Sequence, residues 1–341
     1  MAICRLRLVM MDIRFAQKWK EQIKVWAKEL GFVSIGFTEA DGHPNLAKIL
    51  AENEMLGIAT PFVAYSPMER TEPKAVWPAC KTVVALAYPL PLSRPPQVGE
   101  GVLARSAVGE DYHRVLRGKL ERLLRFIRDS GWPDAAGYIQ VDTGPLNERG
   151  FAARAGVGWI GRNQQLIVPG YGSFVTLGLL LLDQALPADQ PLPERCGECR
   201  SCVTACPVQL LGNKPVRGEQ CLSYLTQSKE EFTPEQTRLM GNRIFGCDTC
   251  QEACPYNRER LEQEQHLTRI EQERVAEGGA GASGAEGRRE GLSRGVDLLE
   301  ILSLTGSGFK VRFAHTAAAW RGKGILQRNA MIALRNSKDS S

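Results

Sequence analysis

The residues most able to do chemistry in this chain are concentrated in one stretch of cysteines. The sequence has 10 cysteines, and eight of them lie between Cys196 and Cys254. One run reads C-x2-C-x2-C-x3-C-P and ends at Pro207, and a second reads C-x2-C-x3-C-P and ends at Pro255. This spacing is typical of loops that wrap a 4Fe–4S cluster, with three cysteines on one cluster and the fourth on another. The second run is one cysteine short, and Cys221 is the nearby thiol that can complete it.

The eight thiols divide into two complete sets of four ligands. We predict Cys196, Cys199, Cys202 and Cys254 for cluster one, and Cys206, Cys221, Cys247 and Cys250 for cluster two. One or two zinc sites are the alternative, because paired C-x2-C units also bind zinc. The two C-x3-C-P endings and the total of eight favour two 4Fe–4S clusters. Clusters of this kind only transfer electrons, so a substrate site is expected elsewhere in the chain.

An acidic residue at a predicted strand end is the candidate for proton chemistry. The strand is predicted to end at Val141, and Asp142 follows it. Pro145 suits the first turn of the next helix and Gly156 suits its end. Asp142 would then lie on a strand-to-helix loop, where functional residues are commonly found. The alternative is that Asp142 or Thr143 only caps the helix.

Three glycines in the same region match a dinucleotide-binding pattern by letter only. Gly156, Gly158 and Gly161 spell G-x-G-x-x-G, but a helix is predicted before them and Pro169 soon follows. A dinucleotide site needs a strand before the glycines and a helix after them. We therefore predict that these glycines let the backbone approach a large flat ligand or a neighbouring strand.

The C-terminal stretch from Phe309 to Lys338 is strongly basic. It holds seven Lys and Arg residues and no Asp or Glu, so the net charge of +5 understates a local cationic surface. Such a surface favours a polyanion, through phosphate contacts and counterion release. Trp320 and His315 could stack on bases or belong to the core. The alternative for the whole stretch is a solvated helix face.

The elements that must position these residues indicate a layered α/β first domain. Apolar residues at helical spacing predict helices over 19–30 and 116–127, and apolar runs predict strands at 32–37, 82–88 and 174–182. Alternating helices and strands favour layers of helix on sheet.

Other stretches are interpreted more simply. His113, at the start of the second of these helices, is interpreted as a surface or capping residue. Two more helices are predicted at 297–304 and 316–334, after the low-complexity stretch 277–287, which we interpret as a flexible loop.

Composition and charge exclude several classes of protein. The 341 residues suggest about two domains. Hydrophobic residues at 43% and charged residues at 24% exclude a disordered, collagen-like or coiled-coil chain. No apolar run reaches the about 18–20 residues of a membrane-spanning helix. The first 13 residues lack a secretory cleavage site, so we expect a reducing cytoplasm, where clustered thiols indicate metal.

Taken together, these segments resemble the epoxyqueuosine reductases, enzymes of tRNA queuosine biosynthesis. The resemblance covers residues 14–338. Besides the cysteine runs, its motifs are RTEPKAVWPACKTVVALAY (70–88), ARSAVGEDYH (104–113), VDTGPLNERGFAARAGVGWIGRN (141–163), YGSFVTLG (171–178), CLSYLT (221–226) and RNAMIAL (328–334). The chain departs from the family at YLTQSKEE (224–231), where the family tends to read Y-L-T-I-E, which puts any role of Gln227 in doubt. Arg162 and Arg335 replace a usual lysine and a usual glycine.

The resemblance implies a three-part fold. Residues 12–190 would form an α/β (α+β) cobalamin-binding catalytic domain of nitroreductase or cobalamin-processing type. Residues 191–262 would form a ferredoxin-like domain with two 4Fe–4S clusters. A flexible low-complexity connection at 263–295 would lead to a small helical, HEAT-like segment at 296–341 that contacts tRNA.

The resemblance also implies a set of site residues. Cobalamin would be the second cofactor, with Asp142 as proton donor beside the cobalt. Cobalamin contacts are expected from Arg70, Ser106, Asp142, Tyr171, Ser173, Cys221 and Ser223. Phosphate contacts to tRNA are expected from Lys310, Arg312, Arg321 and Arg328.

The implied activity is the reduction of epoxyqueuosine to queuosine at the wobble position of tRNA. The expected partners are tRNA carrying epoxyqueuosine and an external low-potential electron donor; we expect no membrane partner and a monomer. Three alternatives stay open: a reductive dehalogenase-like cobalamin enzyme, a ferredoxin-like electron carrier, and a tRNA-binding protein whose clusters are structural.

Overall fold

In a computed structural model of the chain, the structure describes residues 2–58, 62–212, 215–276 and 292–339. The chain forms two compact units. The first comprises Met1–Gly57, Phe62–Pro89 and His113–Glu198, and the second comprises Ile58–Pro61, Leu90–Tyr112 and Cys199–Ser341. The predicted boundary at 190 assumed that the domains are consecutive blocks of sequence. The two units are instead each made of several separate segments. Residues 90–112 belong to the second unit because a short strand within them pairs with strands from the end of the chain.

The first unit is built on a four-stranded antiparallel sheet. Its strands are β1 (Ser34–Glu39), β2 (Thr82–Pro89), β4 (Gly137–Gln140) and β7 (Val175–Leu182), in the order β1-β2-β7-β4. Residues 83–87 of β2 and 179–182 of β7 are fully buried, so both faces of the two central strands are covered. The mixed α/β content agrees with the prediction, and the antiparallel pairing makes the unit α+β.

Helices cover this sheet. They are α1 (Ala2–Glu29), α2 (Pro44–Met55), α3 (Pro73–Val76), α4 (Tyr112–Asp129) and α5 (Glu148–Arg154). The apolar face predicted for α4 is confirmed, since Leu116, Leu120, Leu123, Leu124 and Ile127 are all buried. Leu120 packs against Gly178 of β7, where a Cβ atom would approach its Cδ1 to 2.8 Å. The lack of a side chain at that position lets α4 lie close to the sheet.

The glycine-rich stretch forms a small hairpin rather than a nucleotide site. Strands β5 (Trp159–Ile160) and β6 (Leu166–Ile167) pair in antiparallel fashion. A Cβ atom on Gly158 would collide with the carbonyl oxygen of Ile167. Gly156 has a φ of 75° and lies against the carbonyl of Gln190. The prediction that these glycines permit close backbone approach to a neighbouring strand is confirmed.

The second unit combines a three-stranded sheet with short helices. Strand β3 (Gly101–Leu103) pairs in parallel with β8 (Arg243–Phe245) and antiparallel with β9 (Gly295–Val296). The helices are α6 (Ser201–Ala205), α7 (Leu222–Leu225), α8 (Pro234–Met240), α9 (Thr249–Glu252), α10 (Arg258–Ala276), α11 (Leu298–Ser303), α12 (Gly306–Phe313) and α13 (Lys323–Asp339). The core of this unit joins Ile244 of β8 to Ile301 of α11 and Leu326 of α13.

Two predictions about the C-terminal half need correction. The connection expected at 263–295 is helical up to Ala276, and Arg294 and Gly295 pair with the first part of the unit. The low-complexity stretch 277–287 lies outside the described residues. The single helix expected over 316–334 is instead a 3-10 helix, Ala317–Arg321, followed by α13, because Gly322 adopts a φ of 81°. No helix among the described residues has the length and apolar character needed to span a membrane.

Candidate active site and cluster ligands

Asp142 lies on the loop between β4 and α5, as predicted, but it does not cap the helix. Asn147 is the capping residue, and its side chain accepts a hydrogen bond from the backbone N–H of Gly150 at 3.0 Å. Helix α5 therefore begins at Glu148 and not at Pro145. The Asp142 side chain is 58% exposed, and its φ is 57°, in the left-handed region that few residues other than glycine adopt. The capping interpretation was wrong, and the carboxyl group is available for another role.

Two side chains hold Asp142 in this unusual conformation. Its Oδ2 lies 3.0 Å from Nε2 of His113, in the first turn of α4. Its backbone N–H donates a hydrogen bond to Oε1 of Glu148 at 2.7 Å. The sequence predicts His113 as a surface or capping residue; its side chain is 28% exposed, and the contact with Asp142 is an addition that the sequence does not indicate. Because His113 and Asp142 are 29 residues apart, their spacing in the sequence could not predict this contact.

Glu148 is the second carboxyl group of this site. Desolvation, followed by the charge of Asp142, raises the pKa of Glu148 to about 8. Gln140 fixes the surrounding loop, because its amide nitrogen donates to the carbonyl of Leu146 at 2.7 Å and its amide oxygen accepts from the Leu146 N–H at 3.0 Å. At neutral pH Glu148 is thus mainly a neutral acid beside Asp142.

Two arginines lie near the carboxyl pair. Desolvation lowers the pKa of Arg149, while the charges of Asp142 and Glu148 raise it. Desolvation and the neighbouring Arg149 lower the pKa of Arg70. The carbonyl of Arg70 accepts a hydrogen bond from the Asn147 N–H at 3.0 Å. Of the cofactor residues predicted from the resemblance, Arg70 thus contacts the loop between β4 and α5 that also carries Asp142.

An exposed apolar segment borders the Asp142 loop. The hydroxyl of Tyr65 donates to the carbonyl of Thr143 at 3.3 Å. Along the same segment, Phe62, Val63 and Met68 also expose large apolar side chains. We refer to residues 62–68 as the apolar rim. Sequence reasoning missed it, since nothing in its local pattern indicated that it would meet Asp142.

The other predicted cofactor residues are distributed over both units. Tyr171 is 40% exposed and Ser173 is buried, both between β6 and β7 of the first unit. Ser106, Cys221 and Ser223 belong to the second unit. Their contribution to a cobalamin site stays a prediction.

The cysteine thiols predicted for cluster two come together in the second unit. Helix α6, whose C-cap is Cys206, packs against α9, which carries Cys250. Burial raises the pKa of Cys250, and the neighbouring thiols of Cys247, Cys221 and Cys206 raise it further. All four thiols are free of disulfides, although no three His, Cys, Asp or Glu side chains among the described residues converge at single-ion distance. Four unpaired thiols in one region are a donor set that fits a 4Fe–4S cluster.

The ligands predicted for cluster one are less completely defined. Cys199, Cys202 and Cys254 belong to the second unit, and Cys196 belongs to the first. The backbone N–H of Arg162 donates to the Cys196 sulfur at 3.4 Å, and its guanidinium donates to the Gly197 carbonyl at 2.6 Å. Arg162 replaces the lysine expected from the resemblance, and it supports the first cysteine of the run.

A buried ionic network anchors the second cysteine run. The Arg105 side chain is 1% exposed, and its guanidinium contacts carboxylates of Asp248 at 3.2 Å, Glu252 at 3.0 Å and Glu264 at 2.6 Å. Arg294 adds a second guanidinium, 2.7 Å from Glu252. Because Asp248 lies between Cys247 and Cys250, the network ties the cysteine loop to the start of the unit. Sequence reasoning did not identify this network.

The residues predicted to contact phosphate have different environments. Lys310 is exposed. Arg312 forms an ion pair with Glu300 at 2.7 Å. The Arg328 guanidinium lies 4.4 Å from the ring centroid of Phe232 and donates to the Glu230 carbonyl at 3.0 Å. Arg321 stacks on Trp320, which is 54% exposed.

Comparisons with known proteins agree with this arrangement. The family model for epoxyqueuosine reductase QueG (DUF1730) matches residues 70–143, and the model for the 4Fe-4S double cluster binding domain matches residues 195–257. The chain is 37% identical over 336 residues to an epoxyqueuosine reductase of Listeria monocytogenes, covering 94% of this chain and 82% of that protein. It is 37% identical over 323 residues to that of Staphylococcus aureus, covering 92% and 79%.

Solved structures extend the likeness to three dimensions. An epoxyqueuosine reductase in complex with an epoxyqueuosine-modified tRNA-Tyr stem loop is 33% identical, with a TM-score of 0.79, covering 95% of this chain and 82% of that one. The Bacillus subtilis enzyme, with its catalytic aspartate loop swung out of the active site, is 32% identical with a TM-score of 0.80, covering 95% and 82%. With this identity over most of both chains, the chain belongs to the epoxyqueuosine reductase family.

Proposed function

We propose that this oxidoreductase reduces epoxyqueuosine in tRNA to queuosine, with Asp142 as the proton donor. Conversion of the epoxide to an alkene consumes two electrons and two protons and releases water. The observation that carries the assignment of Asp142 is its exposed carboxyl, held in a left-handed conformation by Glu148 and facing His113. In the Bacillus subtilis relative a catalytic aspartate loop moves out of the active site, and the loop of Asp142 is the corresponding candidate here.

The residues present fit the two kinds of cofactor that the family resemblance implies. Eight disulfide-free cysteines supply the donors for two 4Fe–4S clusters in the ligand sets given above. The exposed carboxyl of Asp142 beside the apolar rim provides polar and apolar surface suited to a corrin. The resemblance assigns its contacts to Arg70, Ser106, Tyr171, Ser173, Cys221 and Ser223. When bound, cobalamin supplies the reducing chemistry at the substrate carbon.

The chain's own residues then supply and position protons. The carboxylic acid of Asp142 donates to the epoxide oxygen as the carbon–oxygen bond opens. His113, whose Nε2 lies 3.0 Å from Oδ2 of Asp142, orients that carboxyl. Glu148, neutral near pH 7, hydrogen-bonds the backbone of Asp142 and is the nearby source of the second proton. The half-exposed position of Asp142 lets its loop open for the substrate.

The remaining partners follow from the substrate. A relative binds an epoxyqueuosine-modified tRNA stem loop, and the basic C-terminal stretch of this chain suits the same polyanion. We place Lys310, Arg312, Arg321 and Arg328 near phosphates. A low-potential external donor would reduce the clusters, and a monomer in the cytoplasm would suffice for the reaction.

The test is direct. Protein reconstituted anaerobically with iron, sulfide and cobalamin is given a strong reductant and tRNA that carries epoxyqueuosine, and the nucleosides are analysed by mass spectrometry. We expect about eight irons per chain and a product that has lost one oxygen atom. Reducible clusters without product would instead indicate an electron carrier. Bound tRNA without turnover would indicate a tRNA-binding protein with structural clusters, and turnover of an organohalide alone would indicate a dehalogenase.

A further inference from the structure

An exposed tryptophan in the second unit is held in a fixed orientation. Trp320 lies in the 3-10 helix Ala317–Arg321, one residue before its end, and 54% of its surface is exposed. Its indole N–H donates to the side-chain oxygen of Gln227 at 2.8 Å. The bond spans 93 residues and fixes the plane of the ring.

The same glutamine also positions the neighbouring cation. The Nε of Arg321 donates to the backbone carbonyl of Gln227 at 2.7 Å, and its guanidinium lies 4.2 Å from the Trp320 ring centroid. The amide nitrogen of Gln227 donates to the Ser223 carbonyl at 2.7 Å, so the glutamine is itself anchored. Gln227 therefore organises an indole ring and a guanidinium into one stacked pair, which we term the Trp320–Arg321 platform.

The charge of the residues around the platform indicates which kind of partner it binds. The stretch 309–338 carries seven basic and no acidic residues, a charge balance that attracts RNA. An aromatic ring beside a guanidinium is the side-chain combination on which unpaired bases stack. A protein partner would need an acidic surface to match this stretch, and nothing in the structure favours that choice over the tRNA that the proposed function already requires.

We propose that the Trp320–Arg321 platform binds an unpaired base of the tRNA anticodon loop, and that Gln227 positions the platform for it. The inference rests on the proposed function for the identity of the RNA. It assigns a role to Gln227, at which the chain departs from the sequence expected for the family. It also gives the basic stretch two separate roles. Phosphate contacts provide affinity, whereas the platform selects a loop with an accessible base.

The experiment measures binding of an anticodon stem-loop RNA to the anaerobic holoenzyme by fluorescence anisotropy. Trp320→Ala should weaken binding about 5- to 150-fold, the range for losing one base–aromatic stack. The slope of log affinity against log salt should stay unchanged, because no charge is lost. Trp320→Phe should retain most of the affinity, and Gln227→Ala should give an intermediate loss. Val311→Ala, an 82% exposed apolar side chain in the same stretch, is the matched control and should bind as the wild type does.

A second arm identifies the base. Loop nucleotides are replaced one at a time by abasic nucleotides; one position should weaken wild-type binding as much as Trp320→Ala does, and the two changes should not add. Wild-type affinity of Trp320→Ala for RNA would overturn the proposal and leave a protein partner for the platform, as would additive effects at every loop position. Failure of the proposed function appears differently, as wild-type protein that binds the stem loop but forms no product.

Discussion

Two clusters of charged side chains, one in each unit, differ in how fully their charges are paired. Arg105 in the second unit is buried; its partners Asp248 and Glu264 are only 8% and 4% exposed, and Glu252 at the edge of the network is 36% exposed. Asp142 in the first unit is 58% exposed, and its partner His113 is 28% exposed. The Arg105 cluster is thus largely closed to solvent, whereas the Asp142 cluster is open to it.

The difference separates a structural role from a reactive one. Removing a partner from a sealed ionic network leaves buried charge uncompensated, so such a network resists rearrangement. An exposed carboxyl on a left-handed backbone stores local strain of the kind that clusters at functional sites. The cysteine loop needs a rigid anchor, whereas a proton donor must meet and release a large substrate. The predictions below test this division of roles.

The largest effect is expected at Asp142. Asp142→Asn removes the transferable proton but keeps the shape, and asparagine tolerates a positive φ well. We expect turnover to fall by about 10²–10⁴-fold, the contribution of a general acid. Iron content, cobalamin content and the thermal unfolding midpoint should match the wild type.

The matched control for this change is Asp134→Asn, which alters an exposed carboxyl in the same unit. It should leave nucleoside turnover unchanged. Wild-type turnover in Asp142→Asn would remove Asp142 from the role of proton donor, and joint loss of iron and activity would make its role structural.

The next largest effect is expected at Arg105, on stability. Arg105→Met leaves Asp248, Glu252 and Glu264 without their shared guanidinium. The free energy of unfolding should fall by about 3–5 kcal/mol, the cost of breaking a buried ion pair from one side. Urea unfolding of the anaerobic holoenzyme measures it, with iron release as a second probe.

Arg312→Met supplies the comparison, because it breaks an ion pair with Glu300 whose side chains are both about two-fifths exposed. Its effect should be below about 1 kcal/mol. If the two variants lost equal free energy of unfolding, the Arg105 network would contribute no more stability than an ordinary surface ion pair.

The sequence indicates a 4Fe–4S double-cluster domain more directly than it indicates a proton site, for a physical reason. A 4Fe–4S loop is encoded by local spacing, so C-x2-C-x2-C-x3-C-P can be recognised without knowing the fold. The loop position of Asp142 was also predictable, since a strand pattern precedes it and a helix follows. Its partners were not, because His113 reaches it only through the packing of α4 on the sheet.

The misplaced boundaries have equally specific causes. The proline pattern predicted that α5 begins at Pro145. Its side chain makes Asn147 the N-cap, so the helix begins at Glu148 instead. The polar sequence of α10 was interpreted as part of a flexible connection, although its Glu, Gln, Arg and Leu residues are good helix formers. Strand β3 has only three residues, too few to show a period of two.

The smallest effect is expected at Glu148, and it depends on pH. The folded-state pKa of about 8 lies above the ordinary value of 4.5, so the native state favours the neutral acid. Stabilisation relative to Glu148→Gln is therefore complete below pH 4.5 and is lost as pH rises through about 8. Because Glu148 is partly exposed, solvent screening should keep the change across this window below the loss expected for Arg105→Met.

Urea unfolding of the wild type and Glu148→Gln from pH 5 to pH 9 measures this change, with Glu121→Gln on the exposed face of α4 as the control. The same titration separates proton supply from simple packing. If Glu148 feeds protons to Asp142, wild-type turnover declines on the alkaline side as Glu148 ionises, and Glu148→Gln is slower and lacks that decline. A variant that is slower but retains the full alkaline limb would show that Glu148 only shapes the loop, so the open cluster would then have a single proton-transferring carboxyl, Asp142.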